Sequence, residues 1–232
     1  MQLLDDEYSQ RLIDDTLQFG RQISGAVGSL FFWLEQDLEF TRADGLNVPD
    51  NFVHRYLMDM RPVDPLNTPS LSERNARVAM LHTDSAIGTE PWDTYVQYLA
   101  DYGIGDELNM LFWSGQKPVA GLAVYRPIRS TPFADEMLNW ESIQAHFEHS
   151  LQMHSRLRAD KVRSLLSERY NLQPREIELT SILMRGASNA EIAQQMGIAI
   201  PTVKSHIVNI LDKMGLHGRG EISACVSFLQ FS

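Results

Sequence analysis

The 232-residue chain is short of cysteine and has no long apolar run. Its single cysteine, Cys225, excludes an internal disulfide and a cysteine-rich zinc site, and is typical of a reducing compartment such as the cytoplasm. No stretch reaches the ~20 apolar residues of a membrane span, and the acidic start MQLLDDEYSQ has no apolar signal region. These absences predict a cytoplasmic protein that has no membrane partner.

Patterns that carry enzyme chemistry are missing as well. Ser, Cys and His show no nucleophile-elbow or dyad spacing, and there is no Gly-rich phosphate loop. His146 and His149 share a helical face, but a third metal ligand at good spacing is lacking, so solvated or dimer-facing histidines are the simpler interpretation. We therefore expect no enzyme activity, no catalytic residue, no metal and no cofactor.

Positive charge is scarce in the first 160 residues. They hold twelve Lys/Arg against twenty-four Asp/Glu, a net charge of −12, whereas the chain from Lys161 onward holds eight against six, a net charge of +2. An acidic first part does not attract DNA, so any contacts with nucleic acid must be concentrated in the C-terminal part. The length suits one domain of about 150 residues followed by a small helical one.

Residues that typically begin and end helices form the clearest pattern in the C-terminal part. Pro174 suits the first position of a helix, which Gly186 ends. Asn189 can cap the next helix, and Gly197 gives a tight break before Pro201 opens a third. Two short helices joined by a few residues including Gly form the helix-turn-helix pattern, in which the second helix is available for a major groove.

Residues 172–221 resemble the DNA-binding domain of LuxR-type transcriptional regulators. The shared framework comprises Pro174-Arg175-Glu176, Gly186, Asn189, Glu191-Ile192-Ala193, Gly197-Ile198, Thr202-Val203-Lys204, His206, Asn209-Ile210-Leu211 and Lys213. The resemblance implies sequence-specific binding to double-stranded DNA. Two departures concern helix caps: Gln173 stands where the family usually has Thr, and Ala199 lies where a polar residue usually caps the recognition helix. A missing side-chain cap costs roughly 1 kcal/mol.

The predicted recognition helix sorts into two sides at 100° per residue. Ile207, Ile210 and Met214 lie on the core side, whereas Val208 is an aliphatic residue on an otherwise polar face. In a DNA-reading helix Val208 can touch a thymine methyl while Lys204 and Ser205 bond to base edges. With residues suited to phosphate contacts, the predicted DNA-binding set is Thr202, Val203, Lys204, Ser205, His206, Val208, Asn209 and Lys213. The alternative is an ordinary amphipathic surface helix.

The N-terminal part predicts mixed α and β structure. Helices are predicted from the start to near residue 25, at 52–60, at 92–101 and from about 135 to 157, and strands at 30–34, 38–42, 108–113 and 119–125. This order is typical of a PAS/GAF-like sensor, which encloses small molecules between its sheet and covering helices. The predicted fold class is α+β.

The predicted domain layout has three parts. Residues 1–160 form an α/β/α sensor domain with an antiparallel sheet, residues 161–170 form a linker, and residues 171–232 form an all-α, four-helix DNA-binding domain.

The segment PDNFVHRYLMDMRPVDP, residues 49–65, is similar to the ligand-pocket segment of acyl-homoserine-lactone receptors. Phe52 matches a position that is usually Trp, Tyr56 matches the pocket Tyr, and Asp64 matches the pocket Asp. The resemblance implies a ligand site at Phe52, Tyr56 and Asp64 for a small organic signal, as in quorum sensing, and Trp92 is a further candidate ligand-binding residue. The alternative is a purely structural role, in which Tyr56 is a core aromatic residue and Asp64 is part of a helix-entry turn.

The ligand pattern is incomplete. The second pocket Trp has no counterpart, since Leu81 and His82 are nearest to its place, and Glu107 stands where Gly is expected. Three alternatives therefore remain open for the ligand: an acyl-homoserine lactone, another small molecule, or none.

The predicted function is a DNA-binding transcriptional regulator whose N-terminal domain senses a small-molecule signal and modulates DNA binding as a homodimer. Its predicted partners are pseudo-palindromic DNA, a second copy, a small organic signal and RNA polymerase. Two apolar stripes are expected to carry the dimer contacts: Ile143, Phe147, Leu151 and Leu157, and Ile222, Val226 and Leu229. The alternative function is a regulator switched by a protein partner, with a ligand-free N-terminal docking or dimerisation domain.

Overall fold

The computed structural model describes residues 2–35, 37–40, 42–83 and 92–229. The chain divides into two compact units, Met1–His154 and Ser155–Ser232. The first unit combines helices with an antiparallel sheet and the second is helical. The predicted α+β fold class is therefore confirmed.

The first unit places helices before, between and after its strands. The helices are α1 (Gln2–Ile23), α2 (Asp50–Arg55), α3 (Thr68–Glu73), α4 (Trp92–Asp101) and α5 (Trp140–Leu151). The strands are β1 (Gly28–Trp33), β2 (Ala43–Leu46), β3 (Val78–His82), β4 (Ile104–Ser114) and β5 (Lys117–Pro127). A π-helical turn, Tyr56–Met60, and a 3-10 turn, Arg61–Val63, continue the chain after α2.

The described strands form one antiparallel sheet in the order β2-β1-β5-β4-β3. The predicted hairpin is confirmed as β4 and β5, with Asn109 opposite Ala123. The strand predicted at 38–42 is wrong, because Glu35 donates its N–H to the Glu39 carbonyl over 2.7 Å and Leu38 has a positive φ of 65°. The chain turns there, and β2 begins at residue 43.

Both faces of the sheet are covered. Helices α1 and α5 pack on one face, and α4 with the segment from α2 to α3 packs on the other. Every residue of β4 from Ile104 to Trp113 is consequently buried. This burial extends to three polar residues of the strand, Asp106, Glu107 and Asn109.

The single helix predicted from about 135 to 157 is wrong, because the chain forms two shorter helices there. The Asn139 side chain caps α5 by accepting from the Ser142 N–H over 2.9 Å. At its other end the N–H groups of residues 152, 153 and 154 each bond to the carbonyl three residues earlier. These tighter bonds end α5 at Leu151.

The second unit contains α6 (Ser155–Tyr170), α7 (Pro174–Met184), α8 (Asn189–Met196), α9 (Ile200–Met214) and α10 (Arg219–Leu229). Residues 161–170, expected as a linker, lie in α6, where burial of Val162 and Leu166 against the other helices holds them in helical form. Helix α6 thus adds to the four predicted helices. Of the described helices, none has both the length and the apolar character needed to cross a membrane.

The two stripes predicted for self-association are largely used within the chain. Ile222, Val226 and Leu229 are at most 3% exposed in the core of the second unit. Phe147 and Leu151 are likewise buried against the first unit. Because these side chains already pack inside their own units, they cannot supply a dimer contact.

Candidate functional site

A cavity in the first unit lies between strands β1, β4 and β5 and the segment from Phe40 to Thr68. Its apolar lining comes from the sheet and from aromatic residues of the covering segment. Its polar lining consists of Asp64, Thr68, Glu107 and Asn109. A mostly apolar cavity with a few converging polar groups is the usual form of a small-molecule site.

Aromatic rings form one wall of this cavity. The ring of Phe40 stacks between its neighbours, with its centroid 4.3 Å from that of Phe32 and 5.7 Å from that of Tyr56. Farther along, Phe52 meets Tyr125 edge to face at 5.3 Å. Ring contacts of this kind hold each side chain in one orientation and offer π faces to an apolar or cationic group.

Two buried carboxyl groups face this wall. The Tyr56 hydroxyl donates to Asp64 Oδ2 over 2.8 Å, and the Leu66 N–H donates to Oδ1 over 2.7 Å. On β4, Glu107 accepts from the Tyr95 hydroxyl over 2.9 Å. Asp64 is 3% exposed and Glu107 is 2% exposed. Hydrogen bonds therefore hold both acids in place inside the unit.

Burial changes how the two acids titrate. It raises the pKa of Asp64 to about 6, and the hydrogen bonds from Tyr56 and Leu66 limit the rise. Burial, together with the negative charge of Asp64, raises the pKa of Glu107 well above its ordinary value. No lysine, arginine or histidine of the described residues forms an ion pair with either carboxyl group. Burial therefore favours the protonated, neutral form of both acids, for Asp64 below a pH of about 6.

Asn109 adds an acceptor beside the acids. Its side chain is bonded to Glu107, but its Oδ1 atom is buried without a hydrogen-bond partner among the described residues. The residue is 7% exposed and lines the cavity. Because buried polar atoms in folded proteins are nearly always hydrogen-bonded, an unmatched acceptor here indicates a site for a donor.

The cavity is small as it stands. It leaves about 20 Å³ for the centres of water molecules, enough for one or two waters. Counted with the space that opens to solvent, its empty volume is about 330 Å³. A head group of a few atoms fits between the acids and the rings, and a larger body must extend towards the opening.

Three of the four predicted ligand residues, Phe52, Tyr56 and Asp64, line this one cavity. Trp92 does not line it and is 43% exposed at the start of α4. Glu107 and Asn109 were missed as site residues, although side chains two apart on a strand share a face. The role of the four residues in ligand binding stays a prediction.

Helix α9 of the second unit presents a polar face to solvent. Val203, Ile207, Ile210 and Met214 are buried, whereas Thr202, Lys204, Ser205 and Asn209 are exposed. Val208 is 54% exposed on this polar side. The predicted sorting of the helix into two sides is confirmed.

The family model described as bacterial regulatory proteins, luxR family, matches residues 170–226. This range includes all of α7, α8 and α9. The second unit carries a LuxR-type helix-turn-helix domain. The resemblance inferred from its framework residues is thereby confirmed.

Similarity to known proteins extends over most of the chain. The monoamine regulon transcriptional regulator of Klebsiella aerogenes is 25% identical over 225 residues, 95% of this chain and 92% of that protein. Among solved structures, SdiA of Escherichia coli has a TM-score of 0.46 at 16% identity, covering 96% of this chain and 90% of its own. A GAF domain/HD domain protein from Geobacter sulfurreducens has a TM-score of 0.49 at 15% identity, covering 63% and 92%. The chain therefore carries a luxR-family domain at residues 170–226 and is similar over most of its length to a transcriptional regulator.

Two predicted DNA-binding residues of the LuxR-type domain have structural roles. Val203 is fully buried, so its side chain cannot reach DNA. Lys213 donates to the Glu176 carboxylate over 2.7 Å and to the Asn171 carbonyl over 3.1 Å. Its ammonium group is therefore already engaged within the domain. The other six predicted residues lie on the exposed side of α9 or, for His206, at its edge.

The cap of α8 in the LuxR-type domain differs from the prediction by one residue. Ser188, not Asn189, caps the helix, because its Oγ accepts from the Glu191 N–H while Glu191 accepts from the Ser188 N–H. The Asn189 side chain instead accepts from Arg219 over 2.6 Å. As predicted, Ala199 gives α9 no side-chain cap.

Proposed function

We propose that the chain is a sequence-specific DNA-binding regulator whose N-terminal unit binds a small molecule, and that this binding sets the DNA affinity of a homodimer. The observation that carries the proposal is the exposed polar face of α9 within the LuxR-type domain. RNA polymerase is an expected further partner on the DNA.

Direct base contacts are assigned to the middle of this face. Lys204 and Ser205 can donate to base edges, and the exposed Val208 offers methyl groups to thymine. Ser205 Oγ donates to the Pro201 carbonyl over 3.1 Å, so it must turn away from its own helix to reach a base. Thr202, His206 and Asn209 flank this centre and suit phosphate contacts.

The cavity of the first unit supports the small-molecule part of the proposal. Its buried acids and the unmatched oxygen of Asn109 are polar groups that a hydrophobic core does not need. The relative from Klebsiella aerogenes is named for a monoamine regulon, which also favours a small organic signal.

Charge favours a dimer on DNA. From Lys161 onward the chain has a net charge of only +2, a modest footprint for binding phosphates. A second copy doubles that charge and supplies a second recognition helix. Two such helices read half-sites one DNA turn apart, which gives a pseudo-palindromic operator.

The small size of the cavity favours a second candidate function. With about 20 Å³ for water centres, the first unit can also serve as a ligand-free platform that docks a partner protein. In that case a molecule bound in the cavity does not change DNA binding, whereas docking of the partner protein does.

DNA selection tests the proposed function. The full chain is incubated with random double-stranded DNA, and bound sequences are enriched and read. We expect two inverted half-sites whose centres lie about 10 base pairs apart, and light scattering of the protein on that DNA should give two copies. Enrichment no better than chance, or a single copy on the selected DNA, would overturn the proposal.

A further inference from the structure

We propose that the cavity of the first unit binds the protonated head group of a small primary monoamine, with Asp64 and Glu107 as its carboxyl partners and Asn109 as a further acceptor. The inference rests on the proposed sensor function and names the chemical class of its signal.

The number and kind of polar atoms suit an ammonium group. An alkylammonium ion has three N–H donors and no acceptor. Asp64 accepts two hydrogen bonds from the protein, which leaves half of the lone-pair sites of a carboxylate for a ligand. Asn109 Oδ1 has no partner among the described residues and can accept from an N–H group of the ligand. The three side chains therefore supply acceptors where an ammonium group needs them.

The negative charge in the cavity favours a ligand with one positive group over a ligand with two. Neither acid has a cationic partner among the described residues, so Asp64 brings one uncompensated negative charge into the unit near pH 7. A monoamine cation neutralises that charge. A diamine brings a second positive charge into an apolar cavity without a partner, which is costly.

The aromatic wall completes the match. Tyr56 lies next to Asp64 and stacks on Phe40, and Phe52 packs against Tyr125. Ring faces attract a cation within about 6 Å and accept an apolar body equally well. A ligand with an ammonium head and a hydrocarbon or aromatic body therefore meets a matching surface at both ends.

Size limits the class further. The ammonium group takes the room of one or two waters between the acids and the rings, and the body extends into the empty volume of about 330 Å³ that opens to solvent. A neutral alcohol of the same shape reaches the same place but leaves the Asp64 carboxylate uncompensated. Sites built around a buried polar group reject such an analogue strongly.

Calorimetry of the full chain at about pH 7.5, where Asp64 is ionised, tests the inference. The probes are butylamine and benzylamine, with 1-butanol and benzyl alcohol as neutral counterparts of the same shape and 1,4-diaminobutane as the dication. We expect each monoamine to bind at least tenfold more tightly than its alcohol and than the diamine. Equal affinity for amine and alcohol would overturn the inference.

Variants locate the site. Asp64→Asn, which removes the charge, and Glu107→Leu, which removes the second carboxyl acceptor, should each weaken amine binding at least tenfold. The matched control is Asp106→Asn, since Asp106 is a buried acid next to Glu107 on β4 that bonds to the Phe133 N–H away from the cavity. Circular dichroism checks that each variant is folded. Unchanged amine affinity in both folded cavity variants would rule out this site.

Operator binding separates this inference from the proposed function. If an amine binds in the cavity and leaves the affinity for selected DNA unchanged, the site stands and the sensor function fails. If neutral compounds bind and change DNA affinity while amines do not bind, the sensor function stands and the amine inference fails. If no probe binds and the chain still selects DNA, the amine inference fails and the partner-controlled alternative gains support.

Discussion

Lys213 of α9 lies with its Nζ atom 2.7 Å from Oε2 of Glu176 at the start of α7. Glu176 is 4% exposed, and its carboxylate also accepts the Gln173 N–H over 2.8 Å. Burial raises the pKa of Glu176, but the Lys213 ammonium and the Gln173 N–H lower it more, so the pKa lies below its ordinary value. Lys213, which the sequence predicted to contact DNA phosphate, thus holds α7 and α9 of the domain together.

Lys213→Ala should lower the free energy of unfolding of the LuxR-type domain by roughly 2–3 kcal/mol, because it leaves a buried carboxylate without its cation. A lowered folded pKa stabilises the domain above the unfolded pKa, and this stabilisation is lost as pH falls through the folded pKa. The loss caused by Lys213→Ala should therefore shrink in acid. Urea unfolding followed by circular dichroism, at about pH 7 and about pH 4, measures both effects.

Lys204→Ala is the control for this prediction, because Lys204 is exposed on the same helix and should change stability by less than about 0.5 kcal/mol. A stable Lys213→Ala protein that binds every DNA sequence more weakly would show that Lys213 serves phosphate contact after all.

Lys204→Ala and Val208→Ala should each relax base preference and weaken binding to the selected operator by roughly 1–3 kcal/mol. Binding to scrambled DNA should change much less, since these side chains are assigned to base edges. Titrations on selected and scrambled DNA at one salt concentration measure the difference. Lys117→Ala, at the start of β5 in the first unit, removes an exposed lysine without touching α9 and should leave both affinities unchanged. An unaltered preference in Lys204→Ala would mean that α9 is turned differently on DNA.

The LuxR-type domain was largely predictable because its signals are local. Gly197 adopts a positive φ of 63° and Pro201 lies in the first turn of α9, as their residue types suggest. The cap of α8 was misplaced by one residue, since Ser and Asn cap about equally well and the reciprocal bond to Glu191 decides between them. Helix α6 was missed because its sequence shows no clear apolar stripe. Val162 and Leu166 are buried by contacts with other helices, which the sequence alone does not indicate.

The cavity was predictable on one wall and not on the other. Phe52, Tyr56 and Asp64 lie within one short segment that resembles a known pocket. Glu107 and Asn109 reach the cavity through strand pairing with distant residues, and sequence alone does not fix that register. Trp92 lies outside the cavity because the rotation of α4 against the sheet, set by tertiary packing, leaves it 43% exposed.

Gly121→Ala should destabilise the first unit by roughly 1–3 kcal/mol. A Cβ atom at Gly121 would overlap the ring of Phe32, which stacks on Phe40 beside the cavity. The ring must move, and the aromatic wall moves with it. Thermal unfolding measures the loss. At Gly220 on α10 an added Cβ meets nothing within 4 Å, so Gly220→Ala should not destabilise. Equal melting temperatures for Gly121→Ala and the wild type would show that Phe32 relaxes freely.

Asp64→Asn should make the ligand-free protein more stable at about pH 7.5. Burial raises the folded pKa of Asp64 from 3.8 to about 6. A raised folded pKa contributes stability that is fully present below the unfolded pKa and is lost as pH rises through the folded value. Between about pH 4 and pH 6 the wild type should therefore lose up to roughly 3 kcal/mol for a shift of about two units, while the variant has no such charge to bury.

Urea unfolding of the wild type and Asp64→Asn at about pH 4.5 and about pH 7.5 decides this prediction. The Asn side chain can still accept from the Leu66 N–H, as Asp64 does over 2.7 Å, so the local turn should persist. The free energy of unfolding of the variant, relative to that of the wild type, should increase as pH rises. A variant that is less stable by the same amount at both pH values would show that Asp64 supports the fold as a hydrogen-bonding residue. A gain at the higher pH would mean that the ionised acid costs the fold stability, the condition under which a bound cation stabilises the protein most.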